Sequence, residues 1–436
     1  MPISIPSIIV ILTALSVGGI LLFYRPLSAS SSWRATITPL ASIMGSGFLV
    51  CAPLLYANIG NYAVFAMAGL LLLAYGVGSV IRFNIRYGEV FFKRHHFPID
   101  TDRDEHRLHV AHRDTAHGVK SGEITAFLEK ASHVVLAGAY CISVSYYLQL
   151  LASFALQPFS LHEIWFGKMM VTLILTGIGA IGLARGLKGI ERIERTVVGI
   201  NLSMVAALIA GLVFHNVTTL GHGTWYLHRI AITSDKMHIV RILMGMLIVV
   251  QGFETSRFLG SEHSREERIR TMKWAQLLSS GIYIIFIALM AVVINKVGSD
   301  GQTGITAIVN FSKVVAPILP LLITITAIGS QFSAATADDA GCSGLLEAIL
   351  KRRVPVKFNY VIVSIMAIVL TWATDVYQII SYASRAFAFY YTLQCVVAIL
   401  ILKKVPSVNF PKIKMGVYGF FAAFCILITL FGIPAG

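Results

Sequence analysis

Ala41-Ser42-Ile43-Met44-Gly45-Ser46-Gly47-Phe48 and Val250-Gln251-Gly252-Phe253-Glu254-Thr255-Ser256 each interrupt a long apolar run with glycine and polar side chains. A helix in lipid must satisfy its backbone hydrogen bonds internally. A break at mid-membrane depth is therefore tolerated only where it lines a protein-enclosed cavity. Two breaks at matching places in two halves of a chain point to the central binding site of a secondary transporter.

The composition agrees. The 436 residues are 56% hydrophobic and 13% charged, with a mean hydropathy of +0.76. Soluble domains carry about 25% charged residues, so a water-soluble domain is excluded. The formal net charge of +14 invites a nucleic-acid reading. The basic residues are instead gathered in alternate loops, as the positive-inside rule requires, and no nucleic-acid partner is expected. Five scattered cysteines, Cys51, Cys141, Cys342, Cys395 and Cys425, give neither a metal spacing nor a disulfide framework. The first apolar run, Ile5 to Tyr24, has no basic leader and no small-residue cleavage site, so it reads as a retained helix.

Twelve segments of membrane-spanning character lie near 5–24, 38–57, 61–82, 125–155, 167–185, 191–214, 236–260, 272–296, 318–346, 358–373, 376–402 and 413–433. Arg25 and Arg34, Arg82 to Arg94, Arg185 to Arg195, Arg265 to Arg270, Lys351 to Arg353 and Lys403 to Lys404 fall on one set of alternate loops. Opposite loops carry few, namely Lys168, Arg229, Lys236 and Lys296 near helix ends. The expectation is a multi-pass inner or plasma membrane protein with basic loops cytoplasmic and both termini outside.

Setting aside the extra helix at 5–24, the remaining segments divide into two groups of five, 38–214 and 236–402, with a trailing helix at 413–433. Five is odd, so the groups enter the membrane from opposite sides and form an inverted repeat. The broken segments open each group. A moderately apolar stretch, Gly304 to Val315, cut off by Pro317 and Pro320, reads as a short outer helix or hairpin, or as an early start to the next segment.

Met44-Gly45-Ser46-Gly47-Phe48 resembles the GSG-type break of the amino acid–polyamine–organocation (APC) superfamily. Gly252-Phe253-Glu254, followed by the acidic-basic stretch Glu262 to Arg270, resembles its sixth helix. Gly186-Leu187-Lys188-Gly189-Ile190-Glu191-Arg192 resembles the opening of its fifth. The resemblance covers 38–433 and implies an all-α LeuT-like fold of five plus five helices. The extra amino-terminal helix is more typical of the sodium–solute symporter branch of that fold, and the loop before 125 is unusually long and histidine-rich.

The first break has a direct use. Unwound backbone exposes N–H groups, and the half-helix that follows turns its positive dipole end to the cavity. Ile43, Met44, Gly45, Ser46 and Gly47 thus suit an anionic group such as an α-carboxylate. A glycine packing contact between helices is the plain alternative. In the second break, carbonyls near Val250, Gln251 and Gly252 can hold an ammonium group, and Thr255 adds a hydroxyl. The resemblance implies Phe253 as a cap. Glu254 is an intramembrane carboxylate, read either as functional or as an anchor for broken backbone.

Ala327-Ile328-Gly329-Ser330-Gln331-Phe332-Ser333 places hydroxyls three residues apart on one helix side. In sodium-coupled members of the resembled fold, such hydroxyls and carbonyls of the first broken helix form a cation site. The matching positions here are Ala41 and Met44 with Ala327, Ser330 and Gln331, or with Ser330 and Ser333. A cage of neutral oxygens suits sodium. Proton-coupled relatives carry a lysine in the fifth helix, and none lies between Thr196 and Phe214. The coupling ion is Na+ or H+, and no cofactor is expected.

Asp338 and Asp339 read either as a gate or proton relay with Arg34 or Arg195, or as residues of a wet vestibule. Arg385, with Tyr382 one turn earlier, should face a cavity or a partner. Tyr140, Tyr146 and Tyr147 line the pocket or simply pack. His106, His109 and His112, near Asp100, Asp102 and Asp104, form a solvated basic loop or bind a metal.

Four classes compete. The first is an ion-coupled symporter of amino acids or similar small zwitterions, with no chemistry on the substrate. The second is a transporter or channel for an inorganic cation such as potassium. The third, a membrane enzyme, finds no HExxH, no GxS with a partnered histidine and no redox ligand pair. The fourth, a sensing receptor, finds no appended signalling domain. Lipid and a small solute are the expected partners, and no feature of the sequence sets an oligomeric state.

Overall fold

The computed structural model describes residues 4–435 apart from 46, 95–115, 160–162, 186–189, 228–234, 261–262, 298–303, 305, 351–352 and 406–407. Ser46, the histidine cluster and Gly186 to Gly189 therefore lie outside the described residues, as do the side chains of Arg192 and Arg195. Among the described residues there is no β-strand. Among the same described residues, nine stretches are long and apolar enough to cross a membrane. One of them, Ser31–Gly88, holds both the first broken helix and the helix after it.

The extra helix α1 (Ile5–Phe23) and the short α2 (Arg25–Ala29) precede the first repeat. Its broken helix is α3 (Ser31–Gly45) plus α4 (Phe48–Ile59), followed by α5 (Ala63–Phe83) with a π-helical end, Asn84–Gly88, and α6 (Glu89–Arg94). The repeat continues with α7 (Ala116–Leu156), α8 (Ile164–Arg185) and α9 (Ile190–Gly221). The second broken helix is α10 (Lys236–Gly245) with two 3-10 segments, Leu247–Val250 and Phe253–Phe258. Then come α11 (Arg265–Val297), the short α12 (Ala307–Lys313), α13 (Leu319–Ile349), α14 (Val356–Ala373), α15 (Val376–Leu402) and the trailing α16 (Pro411–Phe431). The architecture is the expected all-α, LeuT-like five-plus-five repeat.

Helix ends differ from the sequence reading. The first broken helix starts at Ser31 rather than 38, α7 at Ala116 rather than 125 and α11 at Arg265 rather than 272. Each extra turn is polar and charged, so apolar patterning cannot register it, whereas backbone hydrogen bonding continues through it. The stretch after Gly304 is indeed a separate short helix.

The long α7 packs on α13 and α15, α3 lies along α11, and α14 pairs with α8. The extra helix α1 packs on α9 through small residues, with Gly18 against Ser203 and Gly211 against Val10. Without a hydrophobic drive between helices in lipid, close approach at small residues supplies the packing energy.

The two breaks meet. Gly252 sits at φ +115°, and a Cβ there would run into Ser42 and the backbone N–H of Ile43. Gly252→Ala therefore combines left-handed strain with a backbone clash, and we expect a loss of about 1–3 kcal/mol. Unfolding in detergent should show a lowered midpoint, whereas Gly419→Ala, with open space around it, should not.

Candidate functional site

The second break begins where α10 stops at Gly245. Gly245 offers its carbonyl to Ser384 Oγ on α15 at 2.7 Å, and the same hydroxyl accepts from Ile248 N at 2.9 Å. One serine thus satisfies a donor and an acceptor released by the interruption. The Tyr283 hydroxyl of α11 lies 3.0 Å from the Ile43 carbonyl and 2.7 Å from that of Val249, bridging the two broken helices. On the α13 side, Gln331 Nε2 donates to the Gly45 carbonyl at 3.0 Å, and Ala334 packs where a Gly45 side chain would sit. Close approach explains the first glycine of the motif. Gly47, at φ +153°, abuts the Tyr146 hydroxyl and Val249.

Glu254 is fully buried at this junction. Its Oε2 accepts from the Gly252 N–H at 3.0 Å and from the Tyr391 hydroxyl at 2.8 Å, while Oε1 has no hydrogen-bond partner. The anchoring role considered for Glu254 is therefore present, since Oε2 holds a backbone N–H of the break, and Oε1 is left unengaged. Phe253 stacks on Tyr391 at 5.3 Å, and Phe387 links Tyr391 to Tyr140 on α7. Gln251 Nε2 donates to Tyr147 Oη at 2.8 Å. Thr255 returns its hydroxyl to the Gly252 carbonyl at 2.7 Å.

Most residues singled out in the sequence converge here: Ile43, Met44, Gly45, Gly47, Tyr140 and Gln251 to Glu254 are buried about the two breaks. The side of α13 that meets Gly45 carries Ser330, Gln331 and Ala334, and the Ser330 hydroxyl turns back to the Ala327 carbonyl at 3.2 Å. Ala327 and Ser333 are buried on the same helix, and Ala41 is half-buried on α3. Arg385 is not brought in. Its Nε donates to the Thr429 carbonyl of α16 at 2.6 Å, and Tyr382 is exposed. The trailing helix is the partner that this guanidinium finds. Asp338 and Asp339 are 2% and 1% exposed, so both are buried rather than wet in this structure; Arg34 is exposed.

Three groups at the site were missed: Tyr283, Ser384 and Tyr391. Each is an ordinary polar residue on an apolar helix, and only its spatial partner gives it a role.

Below the junction, toward the basic-loop side, a charged network crosses the bundle. Arg257, one turn past Glu254, pairs with Glu129 of α7 and donates to Gln394 Oε1 of α15. Gln394 Nε2 donates to Ser132 Oγ at 2.8 Å and to Glu129 at 3.2 Å, and Asn84 donates to Gln394 Oε1 at 2.8 Å. Arg268 holds Glu89 with two bonds of 2.7 Å and caps the Arg257 carbonyl at 2.8 Å. On the opposite side, the segment after α16 straps the outer half-helices. Ile433 N donates to the Arg241 carbonyl at 3.1 Å, and Asn58 Nδ2 donates to the Ala435 carbonyl at 2.9 Å.

Comparison with known proteins supports this picture. A family model for an APC superfamily transporter matches residues 25–432. An "uncharacterized protein" of Aquifex aeolicus (strain VF5) is 36% identical over 386 residues, covering 88% of this chain and 87% of that one. The chain belongs to the APC superfamily of transporters. Among solved structures, a manganese transporter of Eremococcus coleocola, in complex with an aromatic bis-isothiourea compound, aligns at TM-score 0.55 and 10% identity. That alignment covers 92% of this chain and 87% of that one. A Na+-coupled sialic acid symporter in a substrate-bound outward-open state aligns at 0.52 and 12%, covering 99% and 98%. At such identities the likeness is one of LeuT-type fold.

Removing one partner of a buried ion pair leaves an uncompensated charge and costs about 3–5 kcal/mol. Arg257→Met should therefore lower the unfolding midpoint sharply, and Arg257→Met combined with Glu129→Leu should recover most of the loss. A double-variant loss equal to the sum of the Arg257→Met and Glu129→Leu losses would show that the pair is energetically idle.

Proposed function

We propose that this transporter is an ion-coupled symporter of amino acids or closely related small zwitterions. The observation that carries the reading is Glu254. Burying an ionised carboxylate without a cation is costly in a membrane interior. Its Oε1, which no hydrogen bond engages, is a receptor for an ammonium group. The first N–H groups of α4, just beyond Gly47, have no intrahelical acceptor and lie at the positive end of the helix dipole. They suit the guest's carboxylate. Donors for an anion and acceptors for a cation thus sit on two broken helices in contact, which matches a zwitterion better than an ion of one sign.

Tyr140, Phe253 and Phe387 supply apolar and aromatic walls. The oxygen-bearing side of α13 at Ala327, Ser330 and Gln331, with Ser333 and the α3 carbonyls of Ala41 and Met44, suits a coupling Na+. Alternating access then requires α3 to α5, the second broken helix and α11 to move against α7, α8, α13 and α14. The Arg257–Glu129 pair spans that boundary and has to part.

Uptake of a labelled amino acid mixture into proteoliposomes tests this, under a sodium gradient, a pH gradient or neither. Uptake should depend on a gradient and fall about tenfold to a hundredfold in Glu254→Gln, the size of a lost charge-assisted bond. A sodium-driven signal lost in Ser330→Ala would place the coupling ion on α13. Potassium or another inorganic cation moving without any amino acid uptake would overturn the reading.

A further inference from the structure

Away from the broken helices, α13 and α14 carry buried oxygen atoms that no hydrogen bond satisfies. Asp339 is 1% exposed, and neither carboxylate oxygen has a partner. Ser343, four residues on and so on the same helix side, is fully buried with its hydroxyl unpartnered. Asn359, fully buried near the start of α14, donates Nδ2 to the Ser343 carbonyl at 3.1 Å and leaves Oδ1 unpartnered. A carbonyl can only accept, so that bond fixes which end of the amide is the oxygen.

A buried polar atom without a partner costs about 1–3 kcal/mol, and an ionised carboxylate more. Four such atoms gathered on two packed helices lack a common partner that is electron-poor. The neighbouring side chains do not provide it. Asp338 turns to α7, where Ser143 donates to it, and the Cys342 thiol donates to the Ala137 carbonyl at 3.2 Å. Among the described residues, no ammonium, guanidinium or imidazole is paired with Asp339. The donor set is oxygen throughout, as hard cations prefer. Its single carboxylate balances one positive charge rather than two.

We propose that Asp339, Ser343 and Asn359 form a cation site between α13 and α14 that takes one alkali-metal ion. It is separate from the oxygen-bearing side of α13 at Ser330, and it does not depend on the identity of the transported solute. Occupancy neutralises Asp339 and joins the two helices across their shared face.

Thermal unfolding of the full-length protein in detergent tests the site without any solute. NaCl, KCl and LiCl are compared with choline chloride at equal ionic strength. At least one alkali chloride should raise the midpoint saturably, as binding to the folded state alone requires. In a Ser330→Ala background, which removes any contribution from the other oxygen-bearing side of α13, the shift should persist, Asp339→Asn should lose it, and Ser343→Ala should raise the half-saturating concentration roughly tenfold. The proposal is overturned if no alkali cation shifts the wild type, or if Asp339→Asn keeps the full response. Should Asp339→Asn not fold, equilibrium binding of radiolabelled Na+ and Rb+ to wild type and Ser343→Ala decides: equal affinities contradict the site.

Discussion

A backbone that stops being helical inside a membrane must find partners for every N–H and C=O it releases. Much of this molecule follows from meeting that demand twice. Ser384 serves the two ends of the second break, Tyr283 bridges carbonyls of both, Gln331 takes the Gly45 carbonyl and Glu254 takes the Gly252 N–H. These partners come from α11, α13, α15 and the broken segment itself. The shape of the junction is therefore coupled to three separate helices, and a change at the junction has to be felt by all of them.

The same short helical segment holds two charges with opposite circumstances. Glu254 keeps one oxygen unengaged, whereas Arg257, one turn along, is held by Glu129 and Gln394. A guest that engages Glu254 would pull on a segment whose other end is pinned to α7 and α15. On the proposed function, this links the site to the basic-loop side without contact between guest and ion pair. On the other side, the strap after α16 ties Asn58 of α4 to Arg241 of α10, so both outer half-helices share one anchor.

The architecture was legible because its determinants are local or periodic. Glycine-rich breaks and apolar lengths are readable along a chain, and they delivered the all-helical LeuT-like fold and the Gly45–Gly47 and Gly252–Glu254 junction. What failed depends on direction around a helix. Depth alone leaves Arg385 facing either a cavity or a partner, and only its direction selects α16. Asp338 and Asp339 read as a gate or relay, or as wet, from their distance along α13, but both are buried and Ser143 of α7 engages the first. Tyr283 and Ser384 left no signal, since a single hydroxyl on an apolar helix is unremarkable until its partners are known. The polar first turns of α3 and α11 were lost for the opposite reason, because hydropathy does not see helix beyond the hydrocarbon.

The central claim is that the guest sits at the meeting point of the two breaks. Hydrogen–deuterium exchange of the purified protein, with and without a saturating amino acid mixture, addresses it most directly. Protection should concentrate in peptides covering 43–50 and 247–256, with lesser changes around Tyr140 and Tyr391. Protection confined to other segments, with the two breaks exchanging at unchanged rates, would contradict the account.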